Sequence, residues 1–148
     1  MNEHRATVEW QRKGQEFRYE TYSRAHELRF DSLSVPGNAA PGNIPPTVAH
    51  RGGVDPELAF VAAISSCHML WFLHLACQKK FIVDRYVDEA VGVLEKTWIS
   101  RVTLRPEVIF SGKAPTEEEH AALHHRAHEK CFIANSVKTE IVIEPCLK

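Results

Sequence analysis

Two cysteines are the residues in this chain best placed to do chemistry. Cys67 sits beside His68 in the middle of a mostly apolar stretch, DPELAFVAAISSCHMLWFLHLACQKK, residues 55–80. Cys131 follows at the end of a later polar segment, in HEKCFIANSVKTEIVI. Cys67 taken alone reads equally well as core filling, because free thiols are among the most buried side chains. A second thiol changes the weighing. If the segments that carry them pack together, one thiolate attacks an O–O bond, becomes a sulfenic acid and condenses with the other. That chemistry needs a nearby cation to lower a thiol pKa. Arg24, Arg51 and a protonated histidine are the candidates. Cys77 and Cys146 have no such setting and read as filler or surface thiols.

Histidines supply a competing pattern. His120, His124 and His128 recur every four residues, a spacing that can present imidazoles to a transition metal. No carboxylate or thiol converges on them, so a solvated polar helix face is the plainer reading. Gly52 and Gly53 precede the apolar stretch but lack phosphate-loop spacing, and read as a flexible connection.

The elements that must position the thiols follow from local signals. Asp55 is a good N-cap, Pro56 a good first helical residue, and Glu57 places a negative charge at the positive end of the helix dipole. Residues 55–80 therefore read as one long helix. Its apolar residues run nearly all round, which predicts burial on most sides. Leu70, Trp71 and His74 share the face of Cys67, at i+3, i+4 and i+7. They read as core packing, and Leu70 and Trp71 also as walls of an apolar pocket. His74 reads as a satisfied buried histidine. His68 points about 100° away from Cys67 and reads as structural. Thr116 with Glu119 forms a capping box for a second helix running to about residue 130, with three acids in its first turn. Cys131 falls at its end.

Strands fill the remainder. Residues 4–13 alternate, and 16–31 mix aromatic and polar residues, suggesting an N-terminal antiparallel meander. Residues 32–54 hold four Pro and four Gly and read as a long irregular loop. Residues 81–112 read as two long strands joined near 96–100, with Pro106 weakening the second or placing it on an edge. Residues 138–144 read as a final strand. The order is strands, loop, central helix, two strands, helix, strand, an α+β plan in a single domain over 1–148. A helix apolar on most sides is hard to cover in a chain of 148 residues, so a homodimer packed helix against helix is expected.

Composition narrows the function. Apolar (44%) and charged (25%) fractions are ordinary for a globular protein, and the net charge of -1 gives no electrostatic case for nucleic acid or an anionic membrane. Glu57, His68 and His74 interrupt the apolar run, which argues for a protein core rather than a bilayer. MNEHRATVEW has no signal-peptide pattern, so a cytoplasmic chain with reduced thiols is expected.

DPELAFVAAISSCHML resembles the central-helix signature of the OsmC/Ohr hydroperoxide reductases. An acidic residue in the first turn, here Glu57, precedes a run of small residues and then the reactive cysteine, here Cys67. Cys131, at the end of the later helix and before a turn and last strand, matches the family's second cysteine. Arg24 in YSRAHELRFD matches the upstream arginine by position. Phe132 stands where family members often have Pro, and His68 where they tend to be aromatic or apolar. The resemblance covers about residues 5–145.

It implies an OsmC-like fold, an intertwined homodimer, and a thiol peroxidase for organic hydroperoxides serving oxidative stress defence. Cys67 would be the nucleophile and Cys131 the resolving thiol. Arg24 would stabilise the thiolate and polarise the peroxide, with Glu57 holding the guanidinium. A dihydrolipoamide-like dithiol would reduce the disulfide, with no metal or organic cofactor. Glu57 and Cys67 lie roughly 15 Å apart along one helix. Either Arg24 spans that distance or Glu57 and Arg24 come from a partner subunit, which is the favoured arrangement. The alternative is a non-catalytic protein on the same scaffold that binds an apolar ligand, or a metal at the histidine stripe.

Overall fold

The computed structural model describes residues 1–50 and 52–147. The chain divides into two compact units, residues 1–59 and 60–148. Arg51 lies outside the described residues.

The first unit is a small antiparallel sheet. Strands β1 (Thr7–Glu9), β2 (His26–Phe30) and β3 (Leu33–Gly37) pair in that order. Asp31 takes φ 51 in the tight β2–β3 turn, a left-handed conformation that Asp tolerates better than most residues. Residues 10–25 form irregular backbone where strand had been expected. Trp10, Phe17 and Tyr22 pack on one another there, with ring centroids 4.8–6.1 Å apart, and Trp10 Nε1 donates to Ser23 O. The aromatics fill a cluster rather than alternate across a sheet. The expected long loop is also more ordered than its Pro and Gly content suggests. It supplies β3, two short 3-10 turns at Pro41–Asn43 and Pro46–Val48, and a bridge from Gly37 to Val54.

Helix α1 runs Pro56–Gln78. Asp55 Oδ1 accepts from Leu58 N at 2.8 Å, the expected N-cap. The helix is not buried on most sides. Within one chain it buries a single stripe, Ile64, His68, Phe72 and Ala76, while Leu58 and Leu70 remain 57% and 59% exposed. It is long and apolar enough to cross a membrane by length and composition alone.

In the second unit, four strands replace the two expected between 81 and 112. These are β4 (Ile82–Asp88), β5 (Val91–Glu95), β6 (Trp98–Leu104) and β7 (Pro106–Ser111). Lys96, at φ 54, makes the β5–β6 turn. Asp88, the last residue of β4, ties down the β6–β7 break: its carboxylate accepts from Arg105 N, and also from Ser65 Oγ of α1. Helix α2 (Glu117–Lys130) begins at the expected capping box, with Glu119 N donating to Thr116 Oγ1 and Thr116 N to Glu119 Oε1. Strand β8 (Glu140–Ile143) and the short β9 (Cys146–Leu147) follow. The sheets are ordered β4-β7-β9 and β5-β6-β8, with β9 and β8 joining in parallel. Pro106 opens β7, where a missing N–H is tolerated.

Two apolar clusters hold this unit. Ile64 of α1 packs with Val102 and Leu104 of β6, and Phe72 and Ala76 pack with Val108, Leu123 and Ala127. The second cluster seats α1 and α2 on β7 and thereby fixes the helices that carry the two thiols.

Candidate active site

Cys67 lies on α1 one residue before the buried stripe and is half-buried. Cys131 is the C-cap of α2 and is only 1% exposed. The two thiols adjoin each other. Burial pushes the Cys131 thiol up to about 11. Its Sγ accepts from Ala134 N at 3.4 Å, which opposes the rise, while the neighbouring Cys67 sulfur adds to it. Cys131 thus keeps its proton at ordinary pH. Both cysteines are free thiols.

Trp71, one turn beyond Cys67, meets the ring of Phe132 edge to face at 5.4 Å. Phe132 is the residue after Cys131, so this aromatic pair joins the segments around both thiols. Lys130 Nζ lies 5.4 Å from the Trp71 ring centroid, a cation–π contact. Trp71 is half-buried and Leu70 exposed, so the expected wall is open on its Leu70 side. His74, expected buried, is exposed and touches the edge of Trp71.

The histidines depart most from expectation. His120 and His124 are not on a solvated face: they are 1% and 2% exposed. The buried face of α2 is His120, Leu123, His124 and Ala127. His68 Nε2 and His124 Nδ1 are 3.0 Å apart, their rings parallel within 4°. Phe72 stacks on His124 at 4.3 Å. Burial lowers His68 to about 4, with His128 adding to the effect, and lowers His124 to about 3, with His68 and His120 contributing. His120 is lowered by the same desolvation. These imidazoles are neutral at ordinary pH. Among the described residues, no group of three or more His, Cys, Asp or Glu is arranged to hold a metal. Sequence reasoning missed the His68–His124 pair. The usable signal was Leu123 and Ala127, whose spacing places His120 and His124 on the apolar face of α2.

Arg24 and Glu57 belong to the first unit, where both line a cavity of about 650 Å³ walled by Trp10, Phe17, Tyr19 and Tyr22. The expected fork between them is not formed. Arg24 lies over the Tyr22 ring, 3.5 Å from its centroid, and one of its Nη atoms donates to Tyr22 O at 2.6 Å. Glu57 Oε1 accepts a long 3.5 Å bond from Asn43 Nδ2. Arg24 Nε and Glu57 Oε2 are buried without a hydrogen-bond partner. The aromatic cage around Arg24 had no clear sequence signal, because its members lie in irregular backbone.

The family model for OsmC-like proteins matches residues 49–145. A solved OsmC-like protein of unknown function from Vibrio cholerae is 46% identical, with a TM-score of 0.94 over 99% of this chain and 100% of that one. An OsmC-like protein from Mycoplasma pneumoniae shares the fold at 12% identity, TM-score 0.76, over 99% and 97% of the two chains. The organic hydroperoxide resistance protein OhrB of Bacillus subtilis does so at 18% identity, TM-score 0.65, over 99% and 98%. No curated protein matches the chain. The α+β fold is that of the OsmC and Ohr proteins. The chain belongs to the OsmC-like family, some of whose structural relatives carry the name organic hydroperoxide resistance protein.

Proposed function

We propose that this chain is a thiol-dependent peroxidase that reduces organic hydroperoxides by a two-cysteine cycle. The observation that carries the reading is the adjoining pair Cys67 and Cys131, in which the buried thiol resists ionisation and the half-buried one faces it. The roles follow from that asymmetry. The Cys67 thiolate attacks the outer oxygen of ROOH, the O–O bond breaks, and RO⁻ leaves and takes up a proton as ROH. Cys67 is then a sulfenic acid. Cys131 attacks its sulfur, an S–S bond forms, and the sulfenic oxygen leaves as water with the Cys131 proton. A dithiol, dihydrolipoamide-like in chemistry, returns both cysteines to thiols and becomes a disulfide itself.

Arg24 is assigned the cationic role toward the thiolate and peroxide, and Glu57 that of its carboxylate partner. The unpartnered Arg24 Nε and Glu57 Oε2 support this, since each retains a hydrogen bond to make. Leu70 and Trp71 are assigned to the organic group of the peroxide. A homodimer is part of the reading: the exposed apolar surface of α1, Leu58 and Leu70 included, is a face for a second copy, as isologous dimers use. A reducing cytoplasm suits an enzyme whose resting form is the dithiol.

The test is turnover of tert-butyl hydroperoxide with dihydrolipoamide, wild type beside Cys67→Ser. Loss of at least a hundredfold in the variant is expected, and turnover that survives the substitution would overturn the reading. A second reading, a ligand-binding protein on this scaffold, is favoured by the aromatic-walled cavity of the first unit. It predicts ligand binding that Cys67→Ser leaves unchanged.

A further inference from the structure

Cys67 and Cys131 reside on different helices, and something must hold their sulfurs in register while one changes oxidation state. The residues nearest to that task are not the thiols. His68 directly follows Cys67 on α1. His124 lies two helical turns before Cys131 on α2, so both project from the same side of that helix. The hydrogen bond between His68 Nε2 and His124 Nδ1, at 3.0 Å, is a buried side-chain bond joining the two helices. Phe72 stacks on His124 from the next turn of α1 and contacts His120 edge-on at 5.7 Å, bracing the pair from one side.

We infer that the His68–His124 pair is a positioning device that sets the α1–α2 register and thereby the approach of Cys67 to Cys131. The inference rests on the proposed two-cysteine reading and adds residues that the reading does not use. Two apolar side chains would fill the same space but would allow small sliding of the helices. A buried hydrogen bond has one good geometry and is costly to leave unmade. The pair also carries its own balance: one imidazole donates and the other accepts, so each has one ring nitrogen left over. Those nitrogens, His68 Nδ1 and His124 Nε2, have no partner. A charge added here is opposed by burial and by the neighbouring imidazoles of α2, His128 acting on His68 and His120 on His124.

The test measures the disulfide without relying on peroxide. The protein is equilibrated with reduced and oxidised glutathione, and the fraction of Cys67–Cys131 disulfide gives the effective concentration of one thiol toward the other. His68→Gln places an amide nitrogen near the position of Nε2 and keeps a bond to His124, and it should stay within twofold of wild type. His68→Leu removes the bond and should lower the effective concentration at least tenfold. The unfolding midpoint of each variant is recorded alongside. Should His68→Leu not fold, His68→Asn replaces it: the side chain is polar but too short to reach His124, and the same tenfold loss is expected. Equal effective concentrations for the bonding and non-bonding variants would overturn the inference. Failure of the peroxidase reading is separable, since it appears as absent turnover with tert-butyl hydroperoxide in a wild type that still forms this disulfide with glutathione.

Discussion

Acid should loosen this protein through two particular histidines, and the size of the effect follows from their burial. His68 and His124 are held at about 4 and about 3, against an ordinary value of 6.5. The folded state therefore binds fewer protons than the unfolded chain once the pH drops below 6.5. Stability is complete above that value and falls as the pH descends toward the folded values. At pH 5 both histidines remain neutral in the fold, while the unfolded chain has taken up a proton at each. The loss at that pH depends only on the unfolded value, 1.5 units above pH 5, and amounts to about 2 kcal/mol per histidine, or about 4 kcal/mol for the pair. The perturbation is the double variant His68→Gln with His124→Asn, which keeps polar groups at both bonding positions and removes both titrations. Urea unfolding at pH 7.5 and pH 5, at one protein concentration, gives the pH-dependent loss for each form. The other histidines contribute equally to both and cancel. Wild type should lose about 4 kcal/mol more than the double variant. An equal loss in the two proteins would refute the claim that these imidazoles are buried and neutral.

Other outcomes follow from single contacts. Cys131→Ser should let Cys67 reach the sulfenic acid but not the disulfide, so a dimedone adduct on Cys67 should form with one equivalent of peroxide and overoxidation should rise with excess. Gly92→Ala places a Cβ 2.5 Å from Val61 Cγ2, and the overpacking should cost about 1–3 kcal/mol in chemical denaturation. Thr116→Ala removes the side chain that accepts from Glu119 N and should cost about 1 kcal/mol by the same measurement.

Local chemistry made both helices legible. Asp55 and the Thr116–Glu119 box are bonds within a few residues, and the sequence announces them wherever the chain folds. The thiol pair was legible for a related reason: Cys67 interrupts an apolar helix and Cys131 sits on a helix terminus, positions that need no knowledge of distant contacts. What failed depended on tertiary packing. The periodicity of α1 has no polar face, so composition could not say which stripe one chain buries; Ile64, His68, Phe72 and Ala76 do so because β6, β7 and α2 lie against them. The histidine stripe was assigned to solvent because imidazole is polar. The fold instead buries His120 and His124, pairing His124 with His68, a partner 56 residues away. The junction near 96–100 was legible, and Lys96 turns the chain there at φ 54, but the breaks at 89–90 and 105 were not: Asp88 ends β4 with a carboxylate that accepts from Arg105 N, a bond alternation does not record. Arg24 and Glu57 were placed by resemblance, and their cavity is walled by aromatics from irregular backbone that no periodicity marks.

The central claim is that Cys67 is the reacting thiol and Cys131 its partner, and mass spectrometry tests it most directly. The fully reduced protein is treated with one equivalent of an organic hydroperoxide, quenched within seconds, and mapped beside Cys67→Ser. Rapid loss of two mass units in a single Cys67–Cys131 disulfide, absent from the variant, is the predicted result. Slow and unselective oxidation spread over Cys67, Cys77, Cys131 and Cys146 would contradict the account.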